Sequence, residues 1–325
     1  MMDLDVDLDL LQAFESGLNP RHPEGSAIPA RVLGYGEIST TLEIGTESQR
    51  QIAYKRLPMF RTEEEAQAYV ALHQDYVETL RERIGLRVVP DKAVSFADRR
   101  SGRVVVYIAQ QRLPPEAIGH RAMQVLPLDD VQRLVQSVLA ESRKVFDFNR
   151  EHRGELELGL DIQISNWAIV GFDPREPHLP DPLELAYFDT SSPMMRRNGV
   201  EQLDPEIFLR SAPPFLVWIL RLLFLEDVMT RYYDFRKVAV DLVANFYKEQ
   251  RDEWVPAVTE AVNAFFAARD GGERVEPLTV QEVGAYYRED AMIWRLYLAF
   301  RKADRAMRLA LGREYPYILP AKIRR

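Results

Sequence analysis

The sequence predicts an α+β fold in two lobes: a small β-rich N-terminal lobe carrying one long helix, residues 1–112, and a larger helical C-terminal lobe, residues 113–325. Three observations predict it. Between residues 30 and 109 apolar residues alternate or fall in β-branched runs separated by turn residues. One segment inside that region, 62–82, instead repeats its apolar residues at helical spacing. Beyond Pro114-Pro115 the helical period dominates, and only the stretches around Trp167 and Tyr187 break it.

The elements follow in order. Residues 3–17 form a short amphipathic helix through Leu8, Leu11 and Phe14, ended by Asn19-Pro20. Residues 30–33, 40–44 and 51–55 read as antiparallel strands, with Gly34 and Gly36 at the first turn and Gly45-Thr-Glu-Ser at the second. Thr62-Glu-Glu-Glu65 is a capping box opening the long helix, whose stripe is Ala66, Tyr69, Val70, His73, Tyr76, Leu80 and Ile84. Strands follow near 88–96 and at 102–109, the latter β-rich enough to be central. A helix starts at Asp129 and carries Leu134, Val135, Val138, Leu139 and Phe146. Trp167–Val170 and Leu183–Phe188 are two strands joined by a proline-rich excursion, 171–182. Helices are expected at 204–210, 214–228, 231–249, 252–269, 279–287 and 289–311.

Composition excludes several function classes. The 325 residues contain no cysteine, which removes disulfides, thiolate nucleophiles and cysteine-ligated metals. Five histidines, His22, His73, His120, His152 and His178, form no HExxH motif. A net charge of −8 without a basic stripe argues against nucleic-acid binding. The acidic N-terminus has no signal-peptide pattern, and the greasiest stretch, 213–225, is too short to span a bilayer. A cytoplasmic protein with no membrane partner is expected. Oligomeric state is not legible.

Two groups of residues carry chemistry. In the first, Gly34-Tyr-Gly36-Glu-Ile-Ser39 joins two strands. Such a turn exposes backbone N–H groups that can lie over phosphates, though most such turns are only turns. Lys55, in the third strand, supplies a cation to offset triphosphate charge, or else snorkels at the surface. Arg56 points to the opposite face of an extended strand. Glu65, at the edge of the helical stripe, is the preferred carboxylate partner for Lys55; the alternative is a purely local role in the capping box.

In the second group, Asp161 and Asn166 stand among Leu160, Ile162, Ile164 and Trp167, and Asp189 follows Ala186-Tyr-Phe. Phosphoryl transfer needs an aspartate to orient the acceptor hydroxyl, and an asparagine and a second aspartate to hold metal ions. The alternative is a set of turn-capping side chains.

These motifs resemble those of the protein-kinase-like superfamily, closer to aminoglycoside and choline phosphotransferases than to protein kinases, over residues 30–195. The resemblance implies a kinase-like fold using ATP and Mg. It assigns Gly34, Gly36 and Ser39 to the glycine-rich loop, Lys55 to the phosphates, Asp161 to catalysis, and Asn166 and Asp189 to the metal. Gln110 and Gln111 fall where the adenine-contacting hinge lies. The expected function is phosphoryl transfer to a hydroxyl of a small molecule. A nucleotide- or partner-binding pseudoenzyme and a nucleotidyl transferase on the same scaffold are alternatives. Two positions depart from the pattern: Gly159 stands where a loop-bracing histidine is usual, and Thr190 follows Asp189 where protein kinases have glycine. Arg196 and Arg197 are candidates for an anionic group on the acceptor side, or surface charges.

Overall fold

The computed structural model describes residues 4–36, 39–45, 49–210, 217, 230–268 and 275–322. It is a mixed helix-and-strand structure with a small antiparallel sheet. Helix α1 (Leu8–Gly17) begins at Asp7, whose carboxylate accepts from the Leu10 amide at 2.9 Å. Strands β1 (Ala30–Tyr35), β2 (Thr40–Ile44) and β3 (Ile52–Phe60) come next, then α2 (Glu63–Glu78), β4 (Asp91–Ala97) and β5 (Val104–Gln111). The sheet order is β1-β2-β3-β5-β4, all neighbours antiparallel. Thr62 caps α2 as the sequence indicates, accepting from the Glu65 amide at 3.2 Å.

Both faces of this sheet are covered, which explains why β5 is apolar from Val104 to Ala109 instead of alternating. On one face Ala66 and Tyr69 of α2 pack with Leu57, Val106 and Ile108. On the other, Leu11 and Phe14 of α1 pack with Tyr54, Val105 and Tyr107. Arg56, fully buried on the α1 face, is held by both carboxylate oxygens of Glu15 and donates to the Pro316 carbonyl at 2.7 Å. The segment 315–319 runs past the edge of β3 where β2 has ended. Tyr315, Tyr317 and Leu319 join the α2-side core and Ile318 the other. Sequence patterning does not reveal this segment, because it is neither helical nor paired in a ladder.

The rest is largely helical. It comprises α3 (Gly119–Ala122), α4 (Leu128–Glu151), α5 (Glu206–Leu209), α6 (Phe235–Lys248), α7 (Val255–Ala267) and α8 (Val280–Ala310). Val131, Leu134 and Val138 of α4 pack with Leu242 and Phe246 of α6 and Val258 and Val262 of α7. The expected helices 279–287 and 289–311 are one helix, since the exposed residues Arg288-Glu289 contain no breaker and simply face solvent. The expected helix 214–228 lies, apart from residue 217, outside the described residues.

Two small sheets are set into this body. Strands β7 (Trp167–Ile169) and β8 (Leu185–Tyr187) form the expected hairpin. Strands β6 (Leu156–Leu158), β9 (Met195–Arg197) and β10 (Val200–Glu201) form a sheet ordered β10-β9-β6. The latter was not foreseen, because runs of two or three residues carry no period. Among the described residues no helix is long and apolar enough to cross a membrane.

Candidate functional site

The register of the large sheet places Lys55 opposite Thr41 of β2, itself opposite Gly34 of β1, and opposite Ile108 of β5. Lys55 and Arg56 diverge to opposite faces, as an extended strand requires. The Lys55 ammonium donates to Asp189 Oδ1 at 3.0 Å and to the Phe188 carbonyl at 3.1 Å. The sheet and the β7–β8 hairpin therefore meet at one ion pair, formed by residues distant in sequence.

Asp189 takes a second donor, the Ser191 hydroxyl at 2.8 Å. Burial alone would push its carboxyl up, but the Lys55 charge and these hydrogen bonds hold it below the ordinary carboxylate range. It is an ionised oxygen donor at neutral pH.

Backbone and side-chain bonds link this pair to the other candidates. The Phe188 amide donates to the Asn166 carbonyl at 3.0 Å. The Asn166 side-chain nitrogen donates to the Asp161 carbonyl at 3.2 Å, which directs the amide oxygen away from that contact. Asp161 Oδ1 accepts from the Gln163 amide at 3.1 Å, closing a tight turn. Thus Lys55, Asp189, Asn166 and Asp161 form one continuous hydrogen-bonded array. Asn166 and Asp189 offer hard oxygen donors of the kind magnesium takes, one or two protein groups with the remaining ligands left to phosphate and water. Among the described residues no cluster of three or more histidines and carboxylates could bind a metal on its own.

In the glycine turn, the Gly36 amide donates to the Ser39 carbonyl at 3.0 Å. A Cβ on Gly36 would lie 2.7 Å from the Ser39 hydroxyl, which would have to turn away, whereas Gly34 faces open space. The ladder slips between Val32 and Gly34, a bulge that bends the strand into the turn. Glu37 and Ile38 lie outside the described residues.

One expectation is overturned, and the residues of two others find partners. Glu65 is not the partner of Lys55: it pairs with Arg210 at 2.6 Å and accepts from the Arg61 amide at 2.8 Å. A guanidinium engages it through two nitrogens, and Lys55 is already satisfied by Asp189. Gln110 turns its amide to the Phe188 carbonyl at 2.8 Å, so it braces the rear of the array; the Gln111 amide donates to Pro90. Arg196 and Arg197 meet Glu201 and Asp75, and Arg196 also lies over the Tyr233 ring.

The residues that α2 does send to the site belong to the stripe that helical periodicity marks as apolar. Tyr69 donates to the Ser191 carbonyl at 2.8 Å, and Tyr76 to the Gly159 carbonyl at 2.8 Å. His73 contacts Thr190 Oγ1 at 3.2 Å, and the Thr190 hydroxyl donates to Asp91 at 2.6 Å. The available signal was that every fourth or third residue of the stripe carried a polar atom. Gly159 is also explained. A Cβ there would lie 2.9 Å from that of Met194 and 3.2 Å from that of Tyr232, so no larger side chain fits, and the loop is braced through its backbone instead.

The chain belongs to DUF6206, a family of unknown function, whose model matches residues 21–306. No curated protein matches it. Solved structures similar to it include WaaP in complex with acyl carrier protein, at 13% identity and a TM-score of 0.32, covering 71% of this chain and 90% of that one. Another is the GDP complex of aminoglycoside 2'-phosphotransferase-IIIa, at 11% identity and a TM-score of 0.32, covering 74% and 93%. A third is the amicoumacin kinase hAmiN with AMP-PNP, calcium and amicoumacin, at 12% identity and a TM-score of 0.30, covering 88% and 93%.

Proposed function

We propose that this member of DUF6206 is an ATP- and Mg-dependent phosphotransferase acting on a hydroxyl of a small molecule, built as two kinase-like lobes that meet near residue 112. The observation that carries the reading is the array itself. A strand lysine bonded to an aspartate is linked, through the Phe188 backbone, to an asparagine that in turn bonds the backbone carbonyl of a second aspartate.

Each group has a chemical task in this reading. Lys55 neutralises phosphate charge, and the backbone N–H groups of the turn at Gly34–Ser39 cover the phosphates. Asn166 and Asp189 would hold magnesium, which would supply positive charge against the phosphates. Asp161 orients the acceptor hydroxyl and takes its proton as the new bond to the γ-phosphorus of ATP forms and the bond from that phosphorus to the bridging oxygen breaks, releasing ADP. Lys55 also keeps Asp189 ionised, the protonation state a metal ligand requires.

Calorimetry with an ATP analogue, with and without magnesium, tests this. Magnesium-dependent binding by the wild type that disappears in Asp189→Ala is the expected result. Absence of binding by the wild type overturns it. Asp161→Ala should keep nucleotide affinity and lose turnover of an identified acceptor. Binding without any turnover in the wild type would instead identify a nucleotide-binding pseudoenzyme.

A further inference from the structure

We infer that His73, Asp91 and Thr190 are positioning residues for the Asp189 carboxylate, so that α2 sets the metal site directly through hydrogen bonds and not through a carboxylate–lysine pair. The consequence for metal binding rests on the phosphotransferase reading; the tie between α2 and the loop does not.

The bonding pattern determines the direction of each proton. Thr190 is fully buried and has one hydroxyl proton, which it donates to Asp91 Oδ2 at 2.6 Å. His73 Nε2 lies 3.2 Å from Thr190 Oγ1 and 3.4 Å from Asp91 Oδ2, so the imidazole presents its N–H to the hydroxyl and the carboxylate together. Thr190 is thus held from α2 and from β4 at once. Asp91 is fixed in turn by Arg81 at 3.2 Å, and burial, which would raise its carboxyl, is outweighed by these donors. One residue on, Tyr69 holds the Ser191 carbonyl, and the Ser191 hydroxyl holds Asp189 Oδ1. The hydrogen bonds that tie the helix to residues 190 and 191 are 3.2 Å or shorter, and the backbone of those two residues together with the Ser191 hydroxyl carries the tie to the carboxylate of Asp189.

Packing does not require this arrangement. A leucine at 73 and a valine at 190 would fill similar volume with no polar groups to desolvate. A buried imidazole, carboxylate and hydroxyl cost free energy unless all are satisfied, and here they satisfy one another. What they add is direction: the peptide that follows Asp189 has one allowed placement, and the carboxylate with it.

The test uses the full chain with Thr190→Val, which keeps shape and removes the hydroxyl, and Thr190→Ser, which restores it. AMP-PNP is titrated with and without magnesium. We expect wild type and Thr190→Ser to show the magnesium-dependent gain in affinity. Thr190→Val should lose about tenfold or more of that gain, the usual effect of removing an outer-shell bond at a metal site. Its magnesium-free affinity should be unchanged. A full gain in Thr190→Val, or an equal loss in Thr190→Ser, overturns the inference. Amide hydrogen exchange over residues 188–192 is read on the same proteins, and faster exchange in Thr190→Val than in Thr190→Ser is expected. Equal protection overturns the tie whatever the nucleotide does. A wild type that binds no AMP-PNP with magnesium overturns the phosphotransferase reading and the metal role together, and exchange alone then decides the tie.

Discussion

The hydroxyl of Tyr76 donates to the carbonyl of Gly159 at 2.8 Å, fastening α2 to the loop that leads into Asp161. The Gly159 amide is taken up by the Met194 carbonyl at 2.9 Å, so both polar atoms of the glycine peptide flank are committed. The loop is braced from outside by a tyrosine, which makes a histidine inside it unnecessary. Tyr76→Phe leaves the ring in place and orphans a buried carbonyl. Its expected cost is about 1–3 kcal/mol, read from the midpoint of chemical denaturation. An unchanged midpoint would show that the bond contributes nothing.

Restoring a side chain at 159 should harm the protein. A Cβ would stand 2.9 Å from Met194 Cβ, 3.2 Å from Tyr232 Cβ and 3.3 Å from the Tyr233 ring, contacts that backbone movement must relieve. Gly159→Ala should cost roughly 1–3 kcal/mol, as overpacking does, and Gly159→His considerably more. Thermal unfolding of the two variants measures this; a Gly159→His protein as stable as wild type would contradict it.

Lys55 and Glu65 should behave independently. Lys55→Met removes the cation beside Asp189 and should weaken ATP-analogue binding roughly 10–100-fold, the equivalent of about 1.5–3 kcal/mol for bonds to a charged group. Glu65→Gln breaks only the contact with Arg210 at the start of α2 and should leave that affinity unaltered. Calorimetric titration of both variants checks the pair. A matching loss in Glu65→Gln would mean that the carboxylate acts on Lys55 after all.

Acid should loosen the α1 face of the sheet first. Burial favours a neutral Glu15, but the charge and hydrogen bonds of Arg56, with the Tyr107 hydroxyl, hold its carboxyl below the ordinary value of 4.5. A folded value below the unfolded one means the stabilisation is complete above about pH 4.5 and is lost as pH falls through the folded value. Glu15→Gln should flatten that acid limb. It should also cost about 3–5 kcal/mol at neutral pH, because Arg56 would be buried without a counter-charge. Urea midpoints from pH 7 downward separate the two effects; an equally steep acid limb in Glu15→Gln would assign the pH dependence elsewhere.

Much of this architecture is legible in the sequence, for identifiable reasons. The strand series, the Thr62 cap and the β7–β8 hairpin are local, and period and capping chemistry report local structure. Lys55 and Asp189 were singled out separately, and the structure brings them to 3.0 Å. What stays hidden is the choice of partner. Glu65 has suitable chemistry for Lys55, but Arg210 comes within reach only once α5 is folded. Tyr69, His73 and Tyr76 fit an apolar stripe because periodicity sees their rings and not the hydroxyl or nitrogen at the tip. The short strands β6, β9 and β10 and the segment 315–319 owe their conformation to neighbours far along the chain.

One guanidinium gives the position of that last segment wider meaning. Arg56 needs α1 on one side and Pro316 on the other, so the sheet is finished by residues from both extremes of the described chain. Excising residues 1–112, the N-terminal unit expected from the sequence, would remove Tyr315, Tyr317, Ile318 and Leu319 from both of its cores. Such a fragment should be a poor folder by circular dichroism, and a peptide spanning 312–322 supplied in trans should improve it. The same wrapping makes the sheet a sensor of proteolytic trimming: nicking the chain after α8 would loosen the strand that carries Lys55, at a distance from every residue of the array.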